Sequence, residues 1–160
     1  MQSQRLCSAI LAKIEEQIER TEHLIQLLPA EHLNWQPTPP GAWPVPVLLG
    51  HLLDVLAGFC AVLAAAKPEA LAHFSELQEL AVNQACAPGE AISRMASYRS
   101  HIDEGFGVLD DANLGDTIPT AFVKQGEPVL TLLLGNLEHL INHKHELFTY
   151  LNRSSTSDRM

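Results

Sequence analysis

His139 and His143 stand four residues apart in the run HLINHKHE. In a helix, at about 100° per residue, their directions differ by about 40°, which sets them one turn apart on one face. Two imidazoles so placed can share one metal ion. His145 turns roughly 200° away from His143, toward the side of Glu138, and falls outside the pair. Two solvated histidines also meet this spacing by chance, and an HxxxH pattern needs structural context before it speaks for a metal. A third histidine, His51, stands with Asp54 in the otherwise apolar stretch Val45 to Ala66; cysteine aside, they are the only ionisable side chains between Pro46 and Ala66. Buried there without a partner, each would cost several kcal/mol. For His51, a hydrogen-bonded core histidine and a metal ligand both meet that need. Asp54, one turn further on, fits two roles: orienting a ligand, or pairing with a basic residue of another helix. Glu138 and Glu146 are available as proton carriers, but charges on amphipathic helices ordinarily face water, so they are read as a solvated face and no general base is assigned.

The thiols carry no such pattern. Cys7, Cys60 and Cys86 are odd in number, widely spaced and without a CxxC pair, which argues against a disulfide framework and a thiolate zinc site. Cys60, between Phe59 and Ala61, reads as a small buried hydrophobe.

The elements that must position the histidines are helices. Leu6, Ile10, Ile14, Ile18, Ile25 and Leu28 recur mostly at three- or four-residue steps, predicting an amphipathic helix that ends near Pro29. The run NWQPTPPGAWPVP, Asn34 to Pro46, holds five prolines and a glycine in thirteen residues and predicts an ordered connector, pinned to the bundle by Trp35 and Trp43. A second, central helix should start near Pro46 and reach about Ala66. Glu69 to Ala87 suggests a short helix, and a third main helix follows Pro88, with Ile92, Met95, Ile102, Phe106 and Leu109 on its inner face. Asp110 to Gln125 reads as a connector. The last helix opens near Glu127 and Pro128, with Leu130, Leu133, Leu137, Leu140, Leu147 and Leu151 as its core stripe. No segment alternates apolar and polar residues persistently enough for a sheet. The expected fold is all-α, a four-helix bundle with an additional short helix or ordered connector. It forms one domain over residues 1–153, followed by a disordered tail at 154–160.

Composition narrows the partners. The 160 residues, 46% hydrophobic, suit one core. Nineteen acidic against ten basic residues give a formal charge of −9, which repels phosphate backbones and anionic membrane surfaces, so neither nucleic acid nor membrane is expected as a partner. The first twenty residues carry charges every few positions and no apolar run of signal-peptide type, and a cytoplasmic location is expected.

Three segments, NWQPTPPGAWPVP, LLGHLLD at Leu48 to Asp54, and LTLLLGNLEHLINHKHELFTYLNR at Leu130 to Arg153, together resemble the DinB-like metalloprotein superfamily of four-helix bundles. In that family a tryptophan-proline connector precedes a histidine early in the second helix, and the last helix carries two histidines four residues apart. The resemblance covers nearly the whole chain. It implies that His51, His139 and His143 bind one divalent metal ion, with zinc or nickel expected. Two departures stand out: Pro44, Val45 and Pro46 replace the Ser or Thr helix cap of many members, and Lys144, His145 and Glu146 replace an Arg-Gly-Gln turn.

Three imidazoles leave one tetrahedral position open, the arrangement of a catalytic site. An ion there can lower the pKa of a bound water to about 7 or deprotonate a bound thiol. The resemblance implies similar chemistry, since some DinB-like proteins resemble thiol S-transferases using bacillithiol or mycothiol and others are regarded as metal-dependent hydrolases. The expectation is a metal-dependent enzyme acting on a small-molecule substrate with water or a low-molecular-weight thiol. A competing expectation is a non-catalytic stress-related or ligand-binding bundle, whose metal holds the second helix against the last. Homodimerisation is a further expectation, from the apolar richness of those two helices and from the resembling family.

Overall fold

Prolines place two of the helix starts. In this computed structural model, which describes residues 3–29, 42–79 and 84–157, Pro46 is the second residue of α2 (Val45–Ala66) and Pro88 the first of α3 (Pro88–Gly107). At these positions the missing N–H has no intrahelical partner to lose. The other two long helices are α1 (Arg5–Gln26) and α4 (Val129–Ser157). α1 and α2 each pack against both α3 and α4, which puts α1 and α2 at opposite corners of a four-helix bundle. The boundary expected at residue 153 falls inside α4; residues 158–160, and Trp35 with most of the proline-rich connector, lie outside the described residues.

The segment expected as a short helix is a 3-10 helix over Ala72–Glu79, packed on α2 through the buried Leu71 and Phe74. Between α3 and α4 the chain forms a second 3-10 turn, Asp111–Gly115, and then a small antiparallel ladder. In it β1 (Thr117–Ile118) pairs with β2 (Glu127–Pro128). Strands of two residues are too short to show the alternation by which a sheet is recognised in sequence. Gly126 closes this hairpin at φ 84°, and a Cβ there would lie 2.5 Å from Thr117 Cγ2 and 2.7 Å from the Ile118 carbonyl oxygen, so only glycine fits.

α2 is apolar nearly all round because it is central: Leu48, Leu49, Leu52, Leu53, Leu56, Phe59 and Leu63 are all buried. With a mean hydropathy of 2.1 it is long and apolar enough to cross a membrane, but it spends that surface on α3 and α4. Close approach to α3 depends on Gly105, where an added Cβ would sit 2.7 Å from Leu63 Cδ1.

The core face of α4 is displaced from the leucine stripe. Val129, Leu133, Leu140, His143, Leu147 and Tyr150 are buried, with half-buried Asn136 between them, in alternating steps of four and three. That is the seam of a left-handed bundle. Leu133, Leu140 and Leu147 were expected there; Leu130 is instead exposed, and Leu137 and Leu151 are half-buried at the flank. The apolar surface of α4 is wider than one seam, and packing on α2 selects the edge that contains His143.

Candidate metal centre

His143 therefore enters the core on the seam between α4 and α2, with only 6% of its surface exposed. His139, one turn earlier, is exposed. Their rings lie 4.5 Å apart between centroids, and the two Nε2 atoms approach to 2.7 Å. A hydrogen bond of that length needs one donor and one acceptor, so one of the two Nε2 atoms carries a proton and the other offers a lone pair. His51, half-buried in the second turn of α2, brings its ring centroid to 5.8 Å from that of His143.

Trp43 reaches the same place. Just before α2, the Trp43 indole stacks on His51, at 3.8 Å between centroids and 7° between planes, and stands 5.5 Å from His143. The Trp43 carbonyl accepts a hydrogen bond from the Tyr150 hydroxyl at 2.9 Å. Trp43 thus pins the end of the connector, as expected from its position, and links the start of α2 to α4 beyond the histidine pair.

Burial lowers the pKa of His143 below the ordinary histidine value; Glu146 opposes that shift, while His139 and His51 add to it. The neutral imidazole, the form that binds metal, is favoured. Glu146 Oε1 lies 3.3 Å from His143 Nδ1, within ion-pair range but outside hydrogen-bond alignment. Sequence reasoning placed Glu146 on a solvated face. Its three-residue offset from His143 was the available signal; its side chain stays 45% exposed, and it reaches the buried ring only because His143 occupies the seam. Asp54 is exposed and, among the described residues, makes no hydrogen bond or ion pair, so the structure does not bring it to the three rings. His145 is exposed and packs on Phe148, apart from the cluster. Lys144, next to His143, reaches α1 and donates from Nζ to Gln17 Oε1 at 2.6 Å.

A metal's requirements can be set against these positions. Two imidazole nitrogens at about 2.0–2.1 Å from a tetrahedral zinc lie about 3.3 Å apart. The 2.7 Å contact between His139 and His143 must therefore open by about 0.6 Å. Among the described residues, no group of three His, Cys, Asp or Glu side chains is preassembled in ligating geometry. The residue types nevertheless suit a metal: His51 and His139 each neighbour the His143 ring, from two packed helices, His139 has the exposure to rotate, and a carboxylate lies 3.3 Å from the other nitrogen of the buried ring.

The protein's own thiols are elsewhere and inert. All three cysteines are free and buried. Burial raises the Cys60 thiol to about 12, and burial with the nearby Asp111 raises Cys7 to about 11. Among the described residues, a groove of about 520 Å³ runs between α1 and α4 and one of about 540 Å³ between α2 and the first 3-10 helix; none of His51, His139 and His143 lines either.

A family model of the DinB superfamily matches residues 13–147. A search of the curated proteins found no match. Among solved structures the fold is similar to a DinB-like protein (YjoA) from Bacillus subtilis, with a TM-score of 0.70 and 18% identity over 92% of each chain. It is also similar to a variant of a mycothiol-dependent maleylpyruvate isomerase, with a TM-score of 0.64 and 13% identity, covering 92% of this chain and 63% of that one. At such identities the likeness is one of fold.

Proposed function

Since the chain belongs to the DinB superfamily, we propose that it is a metal-dependent enzyme in which His51, His139 and His143 hold one divalent ion, zinc or nickel. Its reactive partner is a water or a low-molecular-weight thiol, directed at a small electrophilic substrate. One observation carries this reading: the His51 ring of α2 stands 5.8 Å from the His143 ring of α4, with Trp43 against both and His139 adjoining His143, although His51 and the pair are about ninety residues apart in sequence. When bound, the ion supplies Lewis acidity, lowering the pKa of the water or thiol.

The chain's own groups prepare the site. Stacking on Trp43 restrains the His51 ring, and Tyr150 anchors Trp43 through its carbonyl. Burial keeps His143 neutral, with its lone pair available near pH 7. Because Cys7, Cys60 and Cys86 are buried and protonated, a reacting thiol must come from solution. The solved isomerase, whose name states a dependence on mycothiol, supports considering such a cosubstrate. A cytoplasmic location, where low-molecular-weight thiols stay reduced, belongs to the same proposal.

Metal content of untagged protein by elemental mass spectrometry tests the ligand set. About one ion per intact chain, lost in His51→Ala and His143→Ala, is expected. Metal-free but folded protein in all three after metal has been offered overturns it. Turnover of an electrophile with added thiol, absent in His143→Ala, tests the activity.

A second reading is favoured by the bridging of α2 to α4: an ion held there would also cross-link the bundle. Chelation would then lower Tm sharply with no turnover of any thiol or ester substrate.

A further inference from the structure

The buried Nδ1 of His143 has, among the described residues, no hydrogen-bond partner, and the Glu146 carboxylate stands 3.3 Å from it. On the other side of the same ring, Nε2 meets His139 Nε2 at 2.7 Å. An imidazole cannot leave a buried N–H without an acceptor at no cost, and only one of its nitrogens is protonated in the neutral form. The i,i+3 relation places Glu146 and His143 along one side of α4, so a small side-chain rotation turns the contact into a hydrogen bond. His143 is held at 8% side-chain exposure by the seam, whereas the Glu146 side chain is 45% exposed and free to make that adjustment.

We infer that Glu146 is a positioning residue that fixes the tautomer of His143, holding the proton on Nδ1 and presenting the bare Nε2 to His139 and His51. His139 then donates its own Nε2 proton across the 2.7 Å contact. A carboxylate behind a ligating imidazole sets ring orientation and tautomer and raises the basicity of the opposite nitrogen. The consequence for metal binding rests on the ligand set proposed above; the tautomer itself is a property of the metal-free protein.

Long-range proton–nitrogen correlation spectra of metal-free, 15N-labelled protein report the two states directly, with the His143 signals assigned by their loss in His143→Gln. In the intact protein His143 should show a protonated Nδ1 and a bare Nε2. Glu146→Gln should keep that pattern, because its amide oxygen can accept the same bond. Glu146→Ala should lose it while circular dichroism stays helical. Zn2+ affinity, read by competition with a chromophoric chelator, should fall about 10- to 100-fold in Glu146→Ala and far less in Glu146→Gln. A residue that merely decorates the helix surface would shift Tm and leave the nitrogen pattern untouched. An intact protein whose His143 carries its proton on Nε2, or a Glu146→Ala variant with the wild-type pattern, overturns the inference. If Zn2+ binds none of the variants, the ligand set falls, while the nitrogen pattern still decides the part played by Glu146.

Discussion

The Trp43 indole lies flat on the His51 imidazole, 3.8 Å between ring centroids and 7° from parallel, although the two side chains come from different elements: a connector and a helix. The contact makes the position of His51 depend on how the chain enters α2. Tyr150 extends that dependence to α4, since its hydroxyl holds the Trp43 carbonyl at 2.9 Å.

Trp43→Ala should therefore weaken both the site and the bundle. Loss of the stacked ring and its contacts should lower stability by about 1–3 kcal/mol. Zn2+ affinity should fall about tenfold as the His51 ring is released. Trp43→Phe, which keeps an aromatic face, should recover most of both. Chelator competition and thermal melts on the three proteins check this; unchanged affinity in Trp43→Ala would show that stacking does not position His51.

Gly105→Ala should destabilise without touching the metal centre. The new methyl would sit 2.7 Å from Leu63 Cδ1 and 3.0 Å from its Cβ, so α2 and α3 must separate locally. Overpacking of this kind costs about 1–3 kcal/mol, and Tm should drop by a few degrees for each kcal/mol. Gly89→Ala, where the added methyl meets nothing within 4 Å, should be neutral or slightly stabilising. Metal content should be the same in both.

Asp111 supplies the cap that α1 lacks locally. Gln4 makes no capping bond through its side chain, and the Asp111 carboxylate accepts the backbone N–H groups of Leu6 and Cys7, at 3.1 and 2.9 Å, and the Ser3 hydroxyl. Partial burial pushes the carboxyl pKa up, but those hydrogen bonds outweigh it and hold it below the ordinary aspartate value. A depressed pKa means that the folded protein gains from the charged form: the stabilisation is present above the unfolded value near 3.9 and is lost as pH falls through the folded value. Asp111→Asn should thus melt lower than wild type at pH 7, with the gap closing below about pH 4. Parallel melts from pH 7 to pH 3 would refute this by showing a constant gap.

Lys144 and Gln17 should be coupled. Lys144 Nζ donates to Gln17 Oε1 at 2.6 Å, and Gln17 is 4% exposed. Lys144→Met leaves that amide without its donor and should cost about 1 kcal/mol; adding Gln17→Leu should return most of it. Additive losses across the double-mutant cycle would rule out a direct interaction.

The metal-ligand candidates were partly legible in the sequence because helical period is local. Four residues between His139 and His143 place them on one face wherever the helix packs, and prolines 46 and 88 mark starts that the structure reproduces. His51 was visible as a polar residue without local company, and the order of connector, histidine and histidine pair pointed to the DinB-like bundle that the fold displays. The details around these residues were not legible. A broad apolar surface on α4 offers more than one seam, and the displacement that buries His143 and exposes Leu130 follows from which edge meets α2.

By itself, the sequence determined where helices form, which of their faces are apolar and that two histidines must be neighbours, because these follow from backbone sterics and periodicity within a few residues. Tertiary structure alone decided that His51 meets His143 beneath Trp43, that Glu146 stands behind the buried ring while Asp54 turns to solvent, and that Asp111 caps a helix more than a hundred residues earlier. Those relations depend on the rotation and axial offset of packed helices, which side-chain interdigitation across the whole core selects and no local stretch encodes.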